Sequence, residues 1–202
     1  MYSVNVPVPW PVQRLAASLE PDLAPFETVR DRHTLVVKRL DGRDLNDLHR
    51  IRERLRPALA DVAPFDLRVT GVDAFERPPM GAAPVVYLAV EALPVDGGGD
   101  RGDDRGGEAD RRGDADPVSG RDSLRAVHDR LVREFGSVAG LEGADYVPHV
   151  TLARGWDGHG DPGAAVDRLR DREVESVRWT VDELGVWTRE YEEIAARVPL
   201  RG

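Results

Sequence analysis

The sequence predicts an α+β protein whose strands and helices do not alternate regularly. Some segments alternate apolar and polar residues with a period of two, and others repeat apolar residues every three to four positions. In chain order they give β α β α β β, a segment without pattern, then α β α β β. This order favours an α+β sandwich over a doubly wound parallel sheet. In each half, an amphipathic helix precedes a strand that contains His and Thr, which indicates a loose internal duplication.

The first half contains two predicted helices and four predicted strands. Pro11 suits the first turn of a helix that Pro21 would end. Asp44 is a good N-cap for a longer helix, because its carboxylate can accept a hydrogen bond from the first turn. The apolar stripe of this second helix is Leu48, Ile51, Leu55 and Leu59. The predicted strands cover residues 2–8, 33–37, 65–75 and 85–90.

The second half resumes after an unusual segment. Residues 95–121 hold eight glycines, many Asp and Arg residues and no aromatic residue. Such a segment cannot bury enough apolar surface to offset its ordering entropy. We therefore expect a disordered acidic insertion within one domain spanning residues 1–202. The elements predicted after it are a helix capped by Asp122, a strand at 146–154, a helix opened by Asp161, and strands at 179–187 and 194–200.

The composition is acidic and contains no cysteine. The chain has 28 Lys and Arg against 37 Asp and Glu, so its formal net charge is −9. This acidic surplus argues against non-specific binding of nucleic acid over a broad surface, but it permits a small positive pocket for one phosphate. Without cysteine there is no disulfide and no thiolate metal site. With no long apolar run and no signal-like start, we expect a cytoplasmic protein, monomeric by default.

Basic residues are almost all arginine, since Lys38 is the one lysine in the chain. This Asp-rich, Lys-poor composition suggests adaptation to a high-salt cytoplasm, where screening weakens acidic self-repulsion. Codon bias toward Arg, Asp and Gly is the alternative interpretation. Thermal stability that rises steeply with molar KCl would support adaptation, and a flat response would exclude it.

The residues best suited to chemistry are His149 and Thr151, in the segment YVPHVTLAR at 146–154. Two residues apart on a strand, they face the same side, while Val150 and Leu152 face the core. An imidazole beside a hydroxyl on a rigid strand can bind a phosphoryl oxygen and move a proton. The motif alone is weak evidence, because a strand histidine is more often structural.

The wider chain resembles the 2H phosphoesterase superfamily, in particular its 2′-5′ RNA ligase-like, cyclic phosphodiesterase members. The pieces that carry the resemblance, by order and spacing, are residues 2–8 (YSVNVPV), 65–75 (FDLRVTGVDAF), 85–90 (VVYLAV), 146–154, 179–184 (WTVDEL) and 197–200 (RVPL). It implies two pseudo-symmetric lobes whose sheets, antiparallel or mixed, line a central groove with helices outside. It also implies two His-x-Thr/Ser motifs that act by acid–base catalysis, without metal or cofactor, on RNA ends or nucleotides with a cyclic phosphate.

The first of the two motifs is irregular in this chain. In the segment RHTL at 32–35, His33 directly precedes Thr34. A regular strand therefore presents either Arg32 and Thr34 or His33 and Leu35 to the groove. We favour Arg32 and Thr34, with the guanidinium binding phosphate, because arginine stays protonated and cannot act as a base. A β-bulge could instead deliver His33, which would then pair with His149 as the second catalytic histidine.

The resemblance also makes Arg154 a candidate phosphate ligand beside Thr151, Thr34 and Arg32, although its odd spacing from Thr151 requires the strand to bend. Tyr146 is either a base-stacking residue or a residue at the rim of the core. We interpret His128 as a residue at the boundary of the core. Two functions follow: a phosphoesterase, or a degenerate relative that binds RNA ends or nucleotide phosphate without turnover.

Overall fold

The computed structural model describes residues 1–42, 44–94, 123–188 and 194–201, so the predicted insertion at 95–121 lies outside the described residues. The strands are β1 (Tyr2–Val6), β2 (Thr28–Val29), β3 (Leu35–Leu40), β4 (Phe65–Phe75), β5 (Val85–Ala92), β6 (His149–Arg154), β7 (Arg178–Val181), β8 (Glu183–Trp187) and β9 (Ile194–Pro199). The helices are α1 (Trp10–Ser18), α2 (Glu20–Leu23), α3 (Leu45–Ala58), α4 (Ser123–Phe135) and α5 (Pro162–Arg170). The α+β class predicted from the sequence is confirmed.

The strands form two groups that meet at one seam. Their order is β7-β4-β5-β6-β3-β1-β8-β9, with β2 paired to β6, and every pairing within the described ranges is antiparallel. Strands β3 and β6 pair only through Leu35 and Val150. They are thus the innermost strands of two halves that separate on one side of this pair, one of four strands and the other of five with β2 included. The two lobes implied by the resemblance correspond to these halves.

Helices cover the sheet where the predicted apolar stripes face it. In α3, Asp44 accepts a hydrogen bond from the backbone N of Asp47, as its N-cap role predicts, and Ile51 and Leu55 are buried. Helix α4 packs on β3, and α5 packs on β4. None of the described helices is both long and apolar enough to cross a membrane.

Among the elements whose bounds differ from the sequence predictions, two are divided in the structure. Pro21 does not end the first helix, which stops at Ser18; it lies instead in the first turn of α2, where a missing N–H costs nothing. The strand predicted at 179–187 is two strands, β7 and β8, separated at Asp182. Strand β7 pairs with β4, whereas β8 pairs with β1 and β9. Because these partners belong to different halves of the sheet, one straight strand cannot pair with both sets.

Candidate active site

A cavity of about 90 Å³ lies at the seam between β3 and β6. Arg32, Thr34 and Val36 line it from the first half, while His149 and Thr151 line it from β6. Arg30 and Asp31 line it as well. Thr34 and Val36 are two residues apart, and Leu35 between them is fully buried on the other face. The segment therefore presents Arg32 and Thr34 to the cavity, which is the register favoured from the sequence.

His33 is not among the described residues that line this cavity. It is partly buried and lies near the carboxylates of Glu20 and Asp31. Burial lowers the pKa of His33, and the two carboxylates oppose that shift. The bulge that would bring His33 to the cavity is not observed here, so a catalytic role for His33 stays a prediction without geometric support.

The imidazole of His149 has a defined tautomer. Its Nδ1 lies 2.7 Å from the carbonyl oxygen of Val147. Because a carbonyl can only accept, Nδ1 carries the hydrogen, and Nε2 is the basic nitrogen of the neutral ring. The rings of Phe75 and Tyr87 contact the imidazole with centroid distances of 5.1 and 5.2 Å. This orientation makes His149 a proton acceptor through Nε2.

The surroundings of His149 favour its neutral form. Burial lowers its pKa most, because the imidazolium would lose hydration. The positive charges of Arg39 and Arg154 lower it further, while the hydrogen bond to Val147 partly opposes both effects. Tyr87 stays protonated beside it, since burial and nearby Asp73 raise the pKa of Tyr87 to about 12. At neutral pH the site therefore holds an imidazole that can accept a proton.

A β-bulge in β6 brings Arg154 to the cavity. Thr151 pairs with Tyr87, but the next pair on β5 joins Val86 to Ala153, so Leu152 is an extra residue. Such a bulge reverses the alternation of side chains beyond it. Arg154 consequently lines the same cavity as Thr151 despite a spacing of three. The strand bend that the sequence prediction for Arg154 required is present.

A second bulge, in β3, brings Arg39 to the same cavity. On β1, Val4 pairs with Lys38 and Asn5 pairs with Val36, which leaves Val37 as the extra residue. Regular alternation from Thr34 would have placed Lys38 on the cavity side. Lys38 is instead buried, and Arg39 lines the cavity. Sequence reasoning missed Arg39, because no feature of the sequence around Val37 indicates a bulge.

Beyond Leu35, where the pairing with β6 stops, side chains satisfy several backbone groups of β3. We call His128, Glu142 and Tyr146 the wedge. The Nδ1 of His128 donates to the carbonyl of Val37 over 2.7 Å, and the Tyr146 hydroxyl donates to that of Val36 over 3.2 Å. The backbone N of Arg39 donates to Glu142 Oε1 over 2.8 Å. The wedge thus holds β3 in its bulged path where β6 turns away.

Within the wedge, Glu142 carries a buried ion pair. Its Oε2 accepts hydrogen bonds from Lys38 Nζ at 2.7 Å and from the backbone N of Val138 at 2.8 Å. The side chains of Lys38 and Glu142 are 2% and 4% exposed, so neither charge is hydrated. Because Oε1 holds the amide of Arg39, this carboxylate links the buried lysine to the arginine of the cavity.

Two sequence interpretations change with these contacts. His128 is fully buried and not a boundary residue, and its Nε2 accepts from the backbone N of Gly143 over 2.8 Å. Tyr146 is buried and stacks on His128 with the rings 3.9 Å apart, so its face is not open to a nucleobase. Within the described ranges, no three His, Asp or Glu side chains gather into a possible metal site.

Comparisons with known proteins agree with this architecture. A family model described as the 2′-5′ RNA ligase superfamily matches residues 34–193. No curated protein is significantly similar to the chain in sequence. Among solved structures, TT0787 of Thermus thermophilus has a TM-score of 0.60 and 15% identity, with 100% of this chain and 98% of that chain covered.

Two further structures share the fold. LigT of E. coli, solved in complex with 3′-AMP, has a TM-score of 0.55 and 12% identity, with 99% of this chain and 94% of that chain covered. Usb1 of Kluyveromyces marxianus has a TM-score of 0.51 and 10% identity, with 98% and 96% covered. At such low identities, these likenesses show the fold alone.

Proposed function

Since the chain belongs to the 2′-5′ RNA ligase superfamily, we propose that it is a phosphoesterase acting on 2′,3′-cyclic phosphate or 2′-5′ phosphodiester ends of RNA or a nucleotide. The observation that carries the proposal is the placement of His149, Thr151, Thr34 and Arg32 around one small cavity. Its 90 Å³ suits one phosphate group, since pockets for whole small ligands measure about 300–1,000 Å³.

In the hydrolysis of a cyclic phosphate, each of these cavity residues has a separate role. Nε2 of His149 takes a proton from the attacking water as the new P–O bond forms. The hydroxyls of Thr34 and Thr151 and the guanidinium of Arg32 bind the non-bridging oxygens, on which negative charge grows. The bond from phosphorus to one ribose oxygen then breaks. Arg32 cannot supply a proton at neutral pH, so the leaving oxygen takes one from solvent.

A second function is favoured by one specific observation, which is that Arg32 occupies the cavity wall where the superfamily resemblance implies a histidine. With one imidazole among its described lining residues, the cavity can bind a phosphate without turning it over. This alternative predicts measurable binding of a nucleoside 3′-phosphate together with no hydrolysis of the cyclic phosphate.

The pH dependence of kcat/KM should show one titration. Burial and the charges of Arg39 and Arg154 lower the pKa of His149, so its basic form persists to a pH below 6.5. We expect kcat/KM for cytidine 2′,3′-cyclic phosphate to rise with pH through that lowered pKa and then to stay level through pH 8. A bell-shaped profile for the unmodified protein would contradict this, because it would reveal a second titrating group.

Arg32→His tests whether a missing histidine limits catalysis. The variant restores a second imidazole, so kcat/KM for the cyclic phosphate should rise by about 10²-fold, the lower end of the usual effect of one acid–base group. Its pH profile should become bell-shaped. Arg32→Gln is the matched control, since it removes the same charge without adding an imidazole, and it should bind and hydrolyse substrate less well than the unmodified protein. An Arg32→His variant no better than Arg32→Gln would contradict the proposed role of this position.

A further inference from the structure

The imidazole of His149 packs against two aromatic rings that come from β4 and β5. The ring centroids of Phe75 and Tyr87 lie 5.1 and 5.2 Å from that of His149, and 4.4 Å from each other. Tyr87 is 4% exposed and is not among the described residues that line the 90 Å³ cavity. Its ring therefore contacts the imidazole and does not line the space in which we place the phosphate.

The hydroxyl of Tyr87 is held by Asp73 on the neighbouring strand. The two residues are direct partners across β4 and β5, and the hydroxyl donates to Asp73 Oδ2 over 3.3 Å. Asp73 Oδ1 accepts from the backbone N of Ala74 over 2.7 Å and from Arg170 Nε over 2.8 Å. Burial by itself would raise the pKa of Asp73, but the hydrogen bonds from Arg170 and Ala74 outweigh it and lower that pKa. The phenol therefore donates to a charged carboxylate, which strengthens the hydrogen bond.

Arg170, the last residue of α5, holds this carboxylate from outside the sheet. Its Nη1 also donates to Glu76 Oε1 over 3.3 Å and to Asp167 Oδ1 over 3.1 Å. The guanidinium thus connects α5 to the end of β4, next to the strand that carries Tyr87. Ion pairs as exposed as these contribute little to the free energy of unfolding. A large loss of activity on breaking one of them would therefore not be explained by unfolding.

We propose that Tyr87 is a positioning residue for His149 and that Asp73, itself held by Arg170, keeps the Tyr87 ring in place. One hydrogen bond at Nδ1 still allows the imidazole to rotate about the line to the carbonyl oxygen of Val147, and a fixed ring beside it opposes this rotation. Rotation would displace Nε2, and a displacement of about 1 Å can cost about 10²-fold in rate. This inference rests on the proposed function, because it takes His149 as the base.

The charged groups that face His149 stay in place when Tyr87 is changed. Arg39 on β3 and Arg154 on β6 lower the pKa of His149. The other charged residues that line a cavity together with His149 are Arg30, Asp31, Arg32 and Asp145. Because Tyr87 is neutral, a change in the pKa of His149 on its substitution reports altered packing and hydration of the imidazole.

The test of Tyr87→Leu combines NMR of the His149 imidazole, which needs no substrate, with steady-state kinetics. The signals of His149 are those missing from the spectrum of His149→Ala. Without the Tyr87 ring, we expect the pKa of His149 to rise toward 6.5, because water hydrates the imidazolium. Nitrogen-15 shifts should report a mixture of tautomers instead of the Nδ1–H form. For cytidine 2′,3′-cyclic phosphate, kcat should fall by about 10- to 100-fold with little change in KM.

Asp73→Ala tests whether the carboxylate holds the ring, and Glu76→Ala is its matched control. Both variants remove a carboxylate that binds Arg170, but of the two residues only Asp73 also accepts the Tyr87 hydroxyl. Asp73→Ala should mix the tautomers and lower kcat, whereas Glu76→Ala should leave both unchanged. Since Asp73 is partly exposed, this pair of variants decides the question even if Tyr87→Leu does not fold.

The outcomes separate this inference from the proposed function. Equal effects of Asp73→Ala and Glu76→Ala, or a Tyr87→Leu variant with the tautomer and the pKa of the unmodified protein, would overturn the positioning role and leave the proposed function standing. An unmodified protein that hydrolyses no cyclic phosphate would overturn the proposed function, and the tautomer of His149 in the variants would still decide whether Tyr87 positions the imidazole.

Discussion

His149→Ala is expected to lower kcat/KM for hydrolysis of cytidine 2′,3′-cyclic phosphate by about 10²–10⁴-fold. The variant removes the imidazole whose Nδ1 is held by the carbonyl of Val147 and whose Nε2 is free to accept a proton from water. Affinity for cytidine 3′-phosphate should fall much less, because Thr34, Thr151 and Arg32 still bind the phosphate oxygens. Initial rates by chromatography and calorimetric affinities measured on the same preparations separate the two effects.

His33→Ala is the matched control for this experiment. It removes the imidazole that directly precedes Thr34 in the first motif, but His33 is not among the described residues that line the cavity. We expect its turnover to stay close to that of the unmodified protein. If His33→Ala lost activity as severely as His149→Ala, the segment at 32–35 would adopt a different register during catalysis. Unchanged activity in His149→Ala would end the proposed mechanism.

Glu142→Ala is expected to lower the free energy of unfolding by about 3–5 kcal/mol, the usual cost of leaving one partner of a buried ion pair uncompensated. The substitution leaves the ammonium of Lys38 buried with the carbonyl of Arg39 as its one remaining acceptor among the described residues. It also removes the acceptor of two backbone N–H groups, those of Arg39 and Val138. Urea denaturation followed by circular dichroism measures the change.

Two variants make this result specific. Glu91→Ala breaks the ion pair between Glu91 and Arg68, whose side chains are 47% and 44% exposed, respectively. This substitution should lower the free energy of unfolding by no more than about 1 kcal/mol. Adding Lys38→Met to Glu142→Ala removes the stranded charge, so the double variant should recover part of the lost stability. Losses that simply add in the double variant would show that the two charges do not stabilise each other.

The sequence predicted most of the strands and helices because their burial follows regular periods. Leu35 is fully buried and Thr34 lines the cavity, as period-two alternation requires. The same alternation failed at Arg39, because a single extra residue at Val37 reverses it, and the apolar run from Leu35 to Val37 gives no local sign of the change. Alternation is a local property, whereas the bulge is held by contacts from distant residues.

The wedge illustrates what local patterns cannot supply. His128 lies on a helical stripe and Tyr146 precedes a strand, and each has an ordinary local interpretation. Their role depends on carbonyl groups of β3 about a hundred residues earlier in the chain, which they reach only in the folded protein. The ion pair between Lys38 and Glu142 spans a similar distance in sequence. Contacts between residues so far apart in sequence can be inferred only once the topology of the fold is known.

The two bulges have a consequence for how this site can change over evolutionary time. Deleting one residue near Val37 would straighten β3 and exchange the faces of its last residues, turning the lysine toward the cavity and the arginine toward the core. A deletion near Leu152 would turn Arg154 away in the same manner. Single-codon deletions in these two strands can therefore exchange one cation at the cavity for another, or remove one, without any amino-acid substitution. Length variation, as well as substitution, is a route by which proteins built on this sheet can acquire different ligand preferences.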